Sequence, residues 1–134
     1  MHDLEFPLGL PAFETYTRFR LVPSSKYAEL LFLESQEHPD VSFPLVPVPL
    51  LDPNYQLTLS EEDCVALGIE DSGAIPADLV CLAIVTAYED WPPTANLLAP
   101  VVVNLATRRA VQSVRGDALY SHKHPLTPPE VPCS

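Results

Sequence analysis

The stretch TANLLAPVVVNLATRRAVQ, Thr94 to Gln112, holds the most apolar part of the chain, with an Asn on either side of it. Asn96 precedes Leu97-Leu98-Ala99, Pro100 interrupts, and Val101-Val102-Val103 ends at Asn104. A β-branched run between turn residues predicts a strand, and RAVQSV beyond the turn LATR predicts its hairpin partner. The two Asn then mark boundaries rather than catalysts. Asn96 meets the backbone where the Trp91-Pro92-Pro93 loop enters the strand, and Asn104 opens the turn toward Arg108. Pro100 marks a bulge or an edge position.

Working outward from this hairpin, LVCLAIVTAYED (79–90) is continuously apolar and predicts a central strand buried on both faces. Upstream, LSEEDCVALGIED predicts a short helix: Ser60 is its N-cap, Glu61, Glu62 and Asp63 fill the first turn, and Gly68 ends it. DVSFPLVPVPLLDPNY (40–55) reads as extended throughout. Pro44, Pro47 and Pro49 lack ladder donors, which predicts an edge strand or a rim segment. AELLFLES (28–35) is short and lies between turns, so it reads as a strand. FPLGLPAFETYTRFRLV (6–22) reads as a proline- and glycine-fixed turn followed by a strand in which Thr17, Phe19 and Leu21 alternate with Tyr16, Arg18, Arg20 and Val22.

The 134 residues fall within the size of one domain, expected over 1–126, with a proline-rich tail at 127–134 expected to fray. A 47% hydrophobic and 19% charged composition is that of a folded chain. Sixteen prolines against four glycines argue for short strands and little helix. Eighteen acidic against seven basic side chains leave a net charge of −11, which repels nucleic acid and anionic membranes and favours a basic partner. Cys64, Cys81 and Cys133 form no CxxC pair, and the N-terminal residues lack signal-peptide character. With no run of membrane-spanning length, these features predict a reduced, cytoplasmic protein.

Catalytic patterns are weak. His122-Lys123-His124 places two imidazoles on one face of a strand, but no further ligands stand at metal spacing, so no metal or cofactor is expected. No GxSxG elbow and no phosphate-binding glycine loop is present. Cys81 lies in an apolar strand and Cys64 in an acidic helix start, poor settings for a thiolate. The doublet Arg108-Arg109, with Arg115 beyond it, reads as a hairpin turn with solvated arginines. Tyr88 and Trp91 flank a proline-rigid loop, as a core lid or as a contact anchor.

Taken in order, FPLGLPAF, LESQEHPDVSF, PNYQLTLSEEDCVALGIED, LVCLAIVT, TANLLAPVVVNLATRRAVQ and YSHKHPL resemble the flagellar assembly factor FliW family. The resemblance implies a mainly β fold, a small antiparallel β-barrel with one or two short helices. It implies a non-enzymatic role: binding the translational regulator CsrA, whose repression of flagellin translation it relieves, and binding flagellin itself. Family members carry a further strand before the FPLGLPAF element. A missing strand there would leave the barrel edge open unless it is covered or closed differently. Ala12 stands where the family has Gly, and PLVPVP replaces a strand with fewer prolines. Loop position and polarity place partner contacts at Asp52, Asn54, Tyr55 and Gln56, at Glu61, Glu62 and Asp63, and at Tyr88, Trp91, Thr94 and Asn96. The competing readings are a diverged interaction module without a flagellar role, and an enzyme using a barrel pocket with His122 or His124 as base.

Overall fold

Val101–Asn104 is a strand, and its alternation shows how the whole molecule is built. Val101 and Val103 face one apolar cluster while Val102 faces another. A computed structural model of the chain describes residues 2–10, 15–38, 40–69, 78–87, 89–90, 92–115 and 119–126. Among these the strands are β1 (His2–Glu5), β2 (Arg18–Pro23), β3 (Leu31–Ser35), β4 (Ser42–Pro47), β5 (Leu79–Thr86), β6 (Thr94–Ala95), β7 (Val101–Asn104), β8 (Arg109–Gln112) and β9 (His124–Pro125). The helices are α1 (Val48–Leu51) and α2 (Glu61–Leu67).

Seven strands close a ring in the order β4-β3-β2-β1-β8-β7-β5, with β5 returning to β4. All of these pairs are antiparallel except β1 with β8, which meet in parallel at Glu5 and Arg109. The short β6 and β9 extend the sheet beyond β5. A side-chain period of two puts one set of residues inside: Leu4, Phe19, Leu21, Leu33, Leu45, Leu82, Val101, Val103 and Ala110, with Phe6 and Leu10 from the first turn. Phe6 and Phe19 meet edge to face, ring centroids 5.1 Å apart. The interior is therefore filled by side chains. Outside the ring, Val102 and Val111 lie under Ala66 and Leu67 of α2, and Ala83 packs with Val48, Ala95 and Leu97. Cover on both faces is why VVV and LVCLAIVT read as unbroken apolar runs.

Two expectations need correction, and one left conditional is resolved. The β4 segment is not an edge: β3 pairs with its residues 42–45 and β5 with its residues 45–47. Because N–H groups alternate sides along a strand, this stagger lets Pro44 and Pro47 turn their donorless nitrogens to the side left unpaired at each position. The same segment does not stay extended. Pro49 falls in the first turn of α1, where its missing N–H is no loss. Nor is the barrel edge before Phe6 open. His2–Glu5 forms a strand, and the Glu5 N–H donates to the Arg108 carbonyl at 2.9 Å to complete the ring. The expected tail (127–134), the 70–77 turn and Ala12 lie outside the described residues.

The predicted helix forms, and its two ends explain it. Ser60 Oγ accepts from the Asp63 N–H at 3.0 Å, and the Asp63 carboxylate returns to the Ser60 N–H, a reciprocal capping box. Gly68, at φ 75°, ends the helix, with the Ile69 N–H donating to the Cys64 carbonyl and the Gly68 N–H to the Val65 carbonyl. A Cβ on Gly68 would stand 3.0 Å from Thr107 Cγ2, so both conformation and space require glycine. Replacing Ser60 with Ala should cost about 1 kcal/mol in denaturant unfolding, the ordinary loss of an N-cap.

The LATR turn forms over residues 105–108, with Arg108 in the left-handed region at φ 60°. A side chain there is strained, whereas glycine would not be. Arg108→Gly should raise the unfolding free energy by about 0.5–1 kcal/mol, the strain relieved less the added freedom of the unfolded chain. A lower midpoint in urea would show instead that the arginine side chain holds the turn.

Candidate functional site

The positions marked from the sequence divide between two regions of the surface. The first surrounds Arg115. Asp52 Oδ1 accepts from the Asn54 N–H at 2.9 Å and the Asp52 carbonyl accepts from the Tyr55 N–H, an Asx turn that aims Tyr55 at the barrel. The Tyr55 hydroxyl donates to the Leu97 carbonyl at 2.6 Å. Its ring lies 4.2 Å from that of Tyr120, centroid to centroid, and the Tyr120 hydroxyl accepts from the Gln56 N–H. The Arg115 guanidinium sits 5.3 Å from the Tyr55 ring and 4.7 Å from the Tyr120 ring, and donates to the Gln56 carbonyl. Burial pushes the Tyr55 phenol above its ordinary range, and the hydrogen bond and charge of Arg115 oppose that shift.

Asn96 does mark a boundary: Oδ1 accepts from the N–H groups of Leu98 and Ala99, turning the backbone between β6 and Pro100. Leu97-Leu98-Ala99 is thus a bend rather than part of the strand. Asn104 has two tasks. Oδ1 accepts from the Ala106 N–H to open the turn, and Nδ2 donates to the Leu67 carbonyl, joined there by the Thr107 hydroxyl at 2.8 Å. The end of α2 is thereby clamped to the β7–β8 turn. Thr94 is half-buried in β6, between Thr86 and Pro125.

The second region is α2. Glu61 and Glu62 are exposed, whereas Asp63 turns inward and accepts from the buried Ser113 hydroxyl at 2.7 Å. Asp63 is occupied in holding the helix to the segment after β8. The structure thus joins Tyr55, Gln56 and Asn96 through Leu97, Tyr120 and Arg115, while Glu61 and Glu62 lie apart on the helix. Tyr88 and Trp91 fall outside the described residues.

Sequence reasoning missed Arg115 and Tyr120. Arg115, expected to be solvated with Arg108 and Arg109, is 6% exposed. Its aromatic partners are Tyr120, in the segment that follows it, and Tyr55, far away along the chain, and no regular spacing signalled either contact. Leu8, expected to be buried with Phe6 and Leu10, is instead exposed, and the exposure of Val65 on α2 was not anticipated either.

The possible catalytic groups do not converge. His122 is exposed and His124 half-buried, and among the described residues no three His, Cys, Asp or Glu side chains are placed to hold a metal ion. Burial pushes the Cys81 thiol up to about 12, which leaves it protonated at neutral pH. Among the described residues no helix is long and apolar enough to cross a membrane.

Comparison with known proteins agrees with this architecture. The family model described as FliW protein matches residues 2–126. The flagellar assembly factor FliW of Pseudothermotoga lettingae is 37% identical over 90% of this chain and 76% of its own length. That of Symbiobacterium thermophilum is 36% identical over 91% of this chain and 87% of its own. A crystal structure of a flagellar assembly factor FliW superposes with a TM-score of 0.80 at 28% identity, covering 96% of this chain and 88% of that one. With barrel, helix and hairpin all inside the matched span, the chain belongs to the FliW family.

Proposed function

We propose that this chain is a non-enzymatic, cytoplasmic flagellar assembly factor that binds a CsrA-type translational regulator and flagellin, and so couples flagellin synthesis to assembly. The observation that most supports the reading is the family match, which spans the whole closed barrel rather than one motif of it. Two features agree with it. Among the described residues the barrel interior is filled with apolar side chains. The net charge of −11 suits a regulator whose own working surface is basic.

The two partners compete for the same molecule in this reading. While flagellin accumulates it occupies the assembly factor, and the regulator is left free to repress translation. Once flagellin is secreted, the factor is free to take up the regulator. The test is retention of purified CsrA-type regulator and of flagellin, each from the source organism, on the immobilised folded chain at low salt. Both should be retained, and the regulator more weakly as ionic strength rises, because screening shortens the reach of the acidic surface. Retention of neither would overturn the proposed function and leave the family assignment standing.

A further inference from the structure

We propose that the groove between the Phe6–Gly9 turn and α2 is a docking surface for an amphipathic, basic segment of a partner protein. The inference rests on the reading that the chain acts by binding protein, and it names a site and a chemistry which that reading does not. The groove has a volume of about 490 Å³, within the range of clefts that bury a ligand. Its apolar lining is Pro7, Leu8, Val65 and Ala66. Glu5, Glu62 and Arg109 supply the charged lining.

Isolated exposed hydrophobic side chains are ordinary, but here two face one cleft. Val65 is 73% exposed, the highest value among the exposed large hydrophobics of the described residues, and Leu8 is 43% exposed. Val is a mediocre helix former, so the solvent face of α2 gains nothing from it locally. Leu8 is held outward by a fixed turn, in which the Gly9 N–H donates to the Phe6 carbonyl at 2.9 Å and Gly9 takes φ 70°. The turn and the helix are both anchored in the core, through Phe6 and Leu67, so the groove is preformed.

The carboxylates select the occupant. Among the described residues Asp3 is engaged with Arg20 at 2.9 Å, whereas Glu5 and Glu62 make no ion pair. Arg109 also lines the groove, but its Nη1 lies 3.6 Å from where a Cβ on Gly68 would stand, at the C-terminal end of α2. An apolar lining with two carboxylates against one guanidinium fits a segment with one or two large apolar side chains flanked by Lys or Arg, and the charge of the whole chain steers such a segment in.

The experiment titrates the isotopically labelled chain with a short synthetic Leu/Lys peptide patterned for one apolar helix face, followed by amide chemical shifts. Saturable shifts should centre on residues 5–9, 61–66 and 109. The folded Leu8→Ser/Val65→Ser variant should bind at least tenfold more weakly, and Glu5→Gln/Glu62→Gln should bind several-fold more weakly with a flatter salt dependence. A Leu/Glu peptide of the same pattern should not bind. Shifts centred elsewhere, equal binding by the Leu8/Val65 variant, or equal binding of the Leu/Glu peptide would each overturn the proposal. So would movement of the same amides on concentrating the chain alone, which would make a second copy the occupant. None of these readouts uses flagellin or a CsrA-type regulator, so failure here is separable from failure of the proposed function.

Discussion

Truncating Phe6 to Ala is expected to lower the unfolding free energy by about 3–5 kcal/mol, the range for removing a fully buried aromatic side chain. Phe6 is 0% exposed and packs edge to face on Phe19, at 5.1 Å between centroids. Its position magnifies the loss. Phe6 directly follows β1, its N–H donates to the Thr17 carbonyl at 2.7 Å, and its carbonyl closes the Gly9 turn. The parallel contact between β1 and β8 is brief, with a single registered pair, so the side chains that β1 and Phe6 send inward carry much of its attachment. Against a typical total of about 5–15 kcal/mol, the variant should be partly unfolded at physiological temperature. Equilibrium urea unfolding measures the effect, and a loss under about 1.5 kcal/mol would mean that the core collapses around the gap better than its packing indicates.

The second large effect is expected at Arg115. Arg115→Met keeps most of the stem volume but removes a guanidinium shared by Tyr55, Tyr120 and the Gln56 carbonyl. Loss of a charge-assisted hydrogen bond and two cation–π contacts in a water-poor setting should cost about 2–4 kcal/mol. Arg115→Lys should recover less than half of that loss, because an ammonium lacks the planar, multi-donor head that reaches both rings while it holds the carbonyl. Apolar replacement of a buried charge is sometimes neutral or stabilising. If Arg115→Met unfolds at the wild-type urea concentration or above it, the cation is not what holds the Asp52–Gln56 turn to the barrel.

These two residues also mark what could be read in the sequence. Phe6 could be anticipated, because Pro7 and Gly9 fix a turn whose apolar neighbours must go inside. The hairpin at Val101–Gln112 and the capped helix at Glu61–Leu67 were legible for a similar reason: their signals are local, a period or a cap within a few residues. Proline in β4 misled, since the rule against ladder proline assumes both sides are paired at the same position, and a staggered barrel strand escapes it. β1 was hidden because a strand of four residues shows almost no period and is defined by its partners. The Arg115 cluster was legible only in part: Tyr55, Gln56 and Asn96 were marked, whereas Arg115 and Tyr120, which join them, were not. It is assembled from the 52–56 turn, the bend after β6 and the segments after β8, which only the closed ring brings together. The groove was half legible: Glu62 was marked for its charge, while Leu8 and Val65 passed as ordinary apolar positions.

The proposed function, an adaptor whose two partners exclude one another, is tested most directly by competition. Labelled CsrA-type regulator is bound to the chain and flagellin is titrated in, with fluorescence anisotropy reporting the regulator. The regulator should be released in proportion to the flagellin added, down to its free anisotropy at saturation. A regulator that stays bound at saturating flagellin, or that never binds the folded chain, would contradict the claim.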